Sequence, residues 1–134
     1  MATIKSTYLG NLRTEAVHLQ SGNKIITDAP TDNHGKGEFF SPTDLFAASY
    51  ASCALTIIGI TIQKYSISID GAEVETTKIM GDNPRRIAEL VLHFKFPKNN
   101  YSDKEKKIIE RAINGCPVAN SVSPDMKITK TIEY

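Results

Sequence analysis

The chain has 134 residues, enough for one domain that buries a core without disulfide staples. Its 16 basic and 15 acidic residues nearly cancel, which argues against nucleic acid or an anionic membrane as partner. Trp is absent and aromatic residues are few, which weakens the case for a stacking platform for single strands. The opening MATIKSTYLG has no apolar signal region, and a cytoplasmic protein is expected. In that reducing setting the two cysteines read as free thiols, catalytic or simply buried, rather than a structural bridge.

Residues 2–9 and 12–19 alternate in polarity around Gly10-Asn11, which predicts a β-hairpin. Residues 23–28 follow Ser21-Gly22 as a third strand. Residues 29–40 carry Pro, Asp, Asn and Gly and predict a loop long enough to be functional or mobile. Ser41-Pro42-Thr43-Asp44 then opens a helix: Ser41 as N-cap, Pro42 at the first helical position, and Asp44 completing a variant capping box. The helix is expected to run to about Tyr65. One apolar stripe holds Phe46, Tyr50, Cys53, Ile57 and Ile60, and another holds Leu45, Ala48, Leu55, Ile58 and Ile62. A helix apolar on nearly every side packs on more than one face. Its uncharged run approaches the length of a membrane span, but Ser49, Ser52, Thr56, Gly59 and Thr61 dilute it and no basic cluster flanks it.

Residues 66–79 alternate and contain Asp70-Gly71, predicting either a long bent strand or a tight hairpin. Residues 86–96 alternate again, with Ile87, Leu90, Leu92, Phe94 and Phe96 on an imperfect apolar face that Pro97 ends. Ser102-Asp-Lys-Glu opens a second helix with a capping box and a buried stripe of Ile108, Ile109, Ala112 and Ile113. Asn114-Gly115 stops it, Cys116-Pro117 starts a short new turn, and residues 126–132 read as a final strand. Strands, a buried helix, strands, a helix and a strand make an α+β fold in a single domain, residues 1–134.

Cys53 lies about three turns into the first helix, beyond reach of the helix dipole, and in apolar surroundings stays inert unless a cation reaches it. Cys116 sits at a break between helical segments, where exposed amides favour a thiolate. A thiol in a closed pocket and a second at a hinge suit a peroxidatic and resolving pair: the first is oxidised to a sulfenic acid, and the second condenses with it. An arginine is the best cation for such a site, because it stays charged and its fork can bind sulfur and peroxide oxygen together. Sterics leave Arg13, Arg85, Arg86 and Arg111 all open.

At these residues the chain resembles the family of the osmotically inducible protein C and organic hydroperoxide resistance proteins (OsmC/Ohr). The first motif is Ser41-Pro42-x-x-Leu45-x-x-Ala48-x-x-x-x-Cys53, and the second is Cys116-Pro117-Val118. The order of elements agrees along essentially the whole chain. The resemblance implies an OsmC-like intertwined homodimer, with antiparallel sheets around long buried central helices. It also implies a thiol peroxidase acting on organic hydroperoxides, with Cys53 peroxidatic, Cys116 resolving and Arg13 the arginine of the N-terminal strands. The disulfide would then be reduced by an external dithiol, of lipoyl type in some family members. Where the family's peroxidases carry a Glu after the helix-opening Pro, this chain has Thr43. Asp44 points roughly opposite Cys53, which leaves Glu38, in the preceding loop, to orient the arginine.

A rival from another class is a non-catalytic protein whose apolar dimer-interface cleft, lined by Phe39, Phe40, Phe46 and Tyr50, holds a small hydrophobic ligand. His18, His34 and His93 lack ligand spacing to each other or to either cysteine, so no metal is expected, and no cofactor is implied.

Overall fold

The computed structural model describes all 134 residues, Met1–Tyr134, in two compact units, Met1–Phe46 and Ala47–Tyr134. The first is an antiparallel meander of β1 (Ile4–Gly10), β2 (Arg13–His18) and β3 (Lys24–Asp28). The predicted hairpin is present, but its turn is Asn11-Leu12, because Gly10 pairs with Arg13. Both turn residues have positive φ, 54° and 63°, as the tight turns that match strand twist require. The loop over residues 29–40 is tied at both ends: Asp28 N–H donates to the Phe40 carbonyl at 3.1 Å, and Ala29 N–H donates to that of Leu12 at 3.1 Å. A short 3-10 turn, Thr31–Asn33, and the close approach of Gly35 to Ala29 fold it on itself. A Cβ on Gly35 would fall 1.7 Å from the Ala29 carbonyl oxygen, so only glycine fits there.

The first long helix, α1 (Pro42–Ile62), starts with the expected cap. Asp44 N–H donates to Ser41 Oγ at 3.0 Å, and Ser41 N–H donates to Asp44 Oδ2 at 3.0 Å. The helix ends at Ile62, three residues short of the predicted end, and residues 63–66 form turns.

The second unit holds the body of α1, β4 (Glu73–Gly81), β5 (Arg86–Lys95), α2 (Asp103–Ile113) and β6 (Lys127–Glu133). The sheet order is β4-β5-β6, with β4 and β5 antiparallel and β5 and β6 parallel. The fold is α+β as predicted, but this second sheet is mixed rather than wholly antiparallel. A parallel neighbour needs a crossover, which α2 and its flanking turns supply. Residues 66–69 are not strand; Ile67 and Ile69 pack against the core from a connecting segment, and Asp70-Gly71 turns directly into β4.

The uneven apolar face of β5 has a physical cause. Between Ile79↔Glu89 and Met80↔Ile87 the register slips, leaving Ala88 as the extra residue of a bulge. That slip brings Ile87 into line with Leu90, Leu92 and Phe94. Beneath this face α1 packs with Ala47, Tyr50, Ala51, Ala54, Ile58 and Ile62, a stripe lying between the two predicted ones. Ile109, Ala112 and Ile113 of α2 close the core; Ile108 packs at its edge. The α2 capping box is complete: Glu105 N–H donates to Ser102 Oγ at 3.2 Å and Ser102 N–H to Glu105 Oε1 at 2.8 Å. α1 is long and apolar enough to cross a membrane, yet this core-packed stripe makes it the core helix of a compact unit, compatible with a soluble protein.

Candidate functional site: an arginine fork and a thiol pair

Arg13 opens β2 and Asp28 ends β3, and the antiparallel register sets them directly opposite each other. The guanidinium Nε donates to Asp28 Oδ1 at 2.7 Å and Nη2 donates to Oδ2 at 2.9 Å. Two parallel bonds of this kind fix both position and plane. Asp28 is buried, and its Oδ2 also accepts the Glu38 amide at 3.1 Å. Phe39 lies against the guanidinium, with its ring centroid 4.7 Å from Cζ. The Glu38 carboxylate approaches Nη2 at 3.5 Å and is mostly exposed. The hydrogen bonds to Asp28 hold Arg13 above its ordinary pKa, and the same bonds hold the Asp28 carboxyl below its own.

Asp28 is therefore the group that orients Arg13 most strongly, and sequence reasoning missed it. A signal existed: pairing residues 12–19 with 23–28 across the Ser21-Gly22 turn brings a cation opposite an anion at the far end. Of the other arginines, Arg86 donates from Nη1 to the carbonyls of Asp82 and Pro84, at 2.8 and 3.0 Å, and closes its own turn. Arg85 and Arg111 are exposed.

In the second unit Cys53, from the middle of α1, and Cys116, just after α2, are both free thiols, near enough for Cys53 to act on the ionisation of Cys116. Their burial reverses the expectation. Cys116 is 0 % exposed, while Cys53 is half-buried. The reason is rotational: α1 turns Ala51 and Ala54 into the core and leaves Cys53 at the edge of that stripe. Cys116 begins a new turn, as its context predicts. Its Sγ accepts the Ala119 N–H at 3.3 Å, and its carbonyl accepts the Asn120 N–H at 3.1 Å.

Burial pushes the Cys116 thiol above its ordinary pKa, and the nearby Cys53 adds to this; the Ala119 amide opposes it. Burial thus favours the protonated form of Cys116, and the half-buried Cys53 is the more accessible sulfur. Tyr50, 2 % exposed and one turn before Cys53, is raised by burial first and then by the charges of Cys116 and Cys53. Phe39, Phe40 and Phe46 are exposed rings of the first unit, whereas Tyr50 belongs to the core of the second. Lys130 of β6, unremarked in the sequence, carries a charge that acts weakly on Cys116. No group of three or more His, Cys, Asp or Glu side chains is placed to hold a metal.

The chain is similar to several solved structures. A Psychrobacter arcticus protein, provisionally described as an osmotic stress induced and detoxification response protein, is 51% identical, with a TM-score of 0.90 over 99% of this chain and 95% of that one. The organic hydroperoxide resistance protein OsmC of Legionella pneumophila shares 18% identity and the fold, with a TM-score of 0.77 over 100% and 98% of the two chains. An organic hydroperoxide resistance protein of Elizabethkingia anophelis gives 21%, a TM-score of 0.75, and coverage of 99% and 96%. No curated protein matches the sequence. The family model for OsmC-like proteins matches residues 35–130, a span that holds Glu38, Cys53 and Cys116, and the chain belongs to that family.

Proposed function

We propose that this protein is a cysteine-based peroxidase that reduces organic hydroperoxides in the peroxide-stress response of a cytoplasm. Membership of the OsmC-like family supports the general role. The observation that carries the chemistry is the pairing of a half-buried Cys53 with a fully buried Cys116 whose ionisation it influences.

In the proposed reaction the Cys53 thiolate attacks the distal oxygen of the hydroperoxide. The O–O bond breaks, Cys53 becomes a sulfenic acid, and the alkoxide takes a proton and leaves as the alcohol. Arg13, held in plane by Asp28 and more weakly by Glu38, serves the negative charge that develops on oxygen. Cys116 then displaces hydroxide from the sulfenic sulfur and closes the disulfide, which an external dithiol, of lipoyl type or similar, returns to two thiols. Because Cys116 starts buried and protonated, that second step is gated by its ionisation.

A homodimer fits the same reading. α1 is strongly apolar, yet only six of its 21 residues are buried within one chain, so a second copy of the chain is the proposed cover for the remainder. Sedimentation of the purified protein should give twice the chain mass.

Thiol counting after treatment with cumene hydroperoxide tests the peroxidase. Both thiols should vanish together and reappear with a dithiol, with mass spectrometry showing a Cys53–Cys116 bridge. Cys53→Ser should abolish turnover, and Arg13→Ala should slow it without unfolding the chain. Survival of both thiols in excess hydroperoxide would overturn the proposal.

A further inference from the structure

β6 alternates Ile128, Lys130 and Ile132 on one face, and the parallel register sets these three beside Leu90, Leu92 and Phe94 of β5. Leu90, Leu92 and Phe94 are fully buried, and Ile128 and Ile132 pack against the same core. A lysine therefore occupies the middle of an inward, apolar row. Lys130 is half-buried there and its Nζ makes an exposed hydrogen bond, so the ammonium loses only part of its hydration, a cost that a Met or Leu would not carry.

Two neighbours meet the charge. Nζ donates to Asn114 Oδ1 at 2.7 Å, and Asn114 is the C-cap of α2, the end of a helix that favours a cation. Nζ also lies 5.9 Å from the centroid of the Tyr50 ring, on the side of α1 that carries Cys53 one turn later. Cys116 follows two residues beyond Asn114, within range of the Lys130 charge. We propose that Lys130 is the positioning cation of the thiol pair, easing the loss of the Cys116 proton at the step in which Cys116 attacks oxidised Cys53.

The proposal rests on the thiol-redox reading above and deepens it. With Cys53 oxidised to the sulfenic acid by an organic hydroperoxide, Cys116 loses its proton and attacks the Cys53 sulfur. The new S–S bond forms as the S–O bond breaks, and the departing hydroxide takes a proton to become water. The thiolate sulfur is oxidised and the sulfenic sulfur reduced, so no further oxidant is needed. Burial opposes ionisation of Cys116; the Ala119 N–H bond is the larger influence favouring the thiolate, and the charge of Lys130 adds to it. The effect is mutual: burial holds Lys130 below its ordinary pKa, and Cys116 pulls it back up. The titratable groups facing Cys116 are Cys53 and Tyr50 from α1 and Lys130 from β6.

Two measurements test this separately from the peroxidase reading. The first uses Cys53→Ser protein carrying 13C-labelled cysteine, so that Cys116 alone titrates in the NMR spectrum and no peroxide is involved. Lys130→Met should move the Cys116 midpoint up, and Lys130→Arg should leave it near that of the parent. An unmoved midpoint in Lys130→Met, or an equal rise in Lys130→Arg, overturns the proposal. The second follows disulfide closure after one equivalent of cumene hydroperoxide at neutral pH. Lys130→Met should close more slowly, by up to roughly tenfold, and the gap should shrink as pH rises. If the parent forms no sulfenic acid, the peroxidase reading fails and the NMR titration still decides the role of Lys130. Should Lys130→Met fail to fold, the reciprocal titration replaces it: Lys130 should lose its proton at lower pH in Cys116→Ala, and no change there overturns the proposal.

Discussion

Asp28 and Glu38 both meet Arg13, but on unequal terms. Asp28 accepts two bonds from the guanidinium and lies buried, whereas Glu38 makes one longer contact from an exposed position. Asp28→Asn should therefore slow hydroperoxide turnover by about tenfold, because the fork loses its fixed plane, and Glu38→Gln should cost less. Assays of both purified variants against cumene hydroperoxide check the order; a larger loss in Glu38→Gln would reverse the assignment. The same pair predicts an acid response. The Asp28 carboxyl is held below its ordinary value, so its contribution to stability is complete above that value and is lost as pH falls through the lowered one. In urea unfolding, parent and Asp28→Asn should differ near neutrality and converge below about pH 4. Single residues are where the sequence was least legible. Asp28 needed a register, and the burial of Cys53 and Cys116 depended on which face α1 turns inward. Lys130 was readable in Ile-x-Lys-x-Ile, but only as an oddity in an otherwise regular strand.

At the scale of elements the sequence was far more legible, since capping and alternation are local. Ser102-x-x-Glu105 specifies its own helix start, and both reciprocal bonds are present. Ser102→Ala should lower stability by about 1 kcal/mol, measured by chemical unfolding, with little effect on thiol chemistry. Leu92 sits fully buried between the partners of Ile128 and Ile132, so Leu92→Ala should cost about 2–5 kcal/mol by the same measurement. What alternation could not reveal was strand neighbourhood. Residues 126–132 read as a strand from their own pattern, but nothing local states that this strand runs parallel to β5. Likewise the SISI stretch alternates as a strand would, yet has no ladder to join and serves instead as an apolar connection. The Ala88 bulge shows the converse: a face that looked irregular in one dimension is regular once the partner strand is counted.

Across the whole molecule, the thiol pair joins stretches of chain that lie far apart in sequence. Cys53 is in α1, Cys116 follows α2, and the intervening segment includes β4, β5 and α2. Closing a bridge between them would cut a loop of about sixty residues out of the freedom of the unfolded chain, worth roughly 4 kcal/mol if the reduced and oxidised folded forms are equally relaxed. The oxidised protein should accordingly melt several degrees above the reduced one, and a pair of calorimetric scans would show it. Equal melting temperatures would mean that the bridge strains the folded state by as much as it restricts the unfolded one. The proposed catalytic cycle would thereby be a mechanical one as well. Each peroxide consumed would tighten the chain and each reductant would loosen it, so that heat resistance in a crude extract would read out how much of the protein is waiting for electrons.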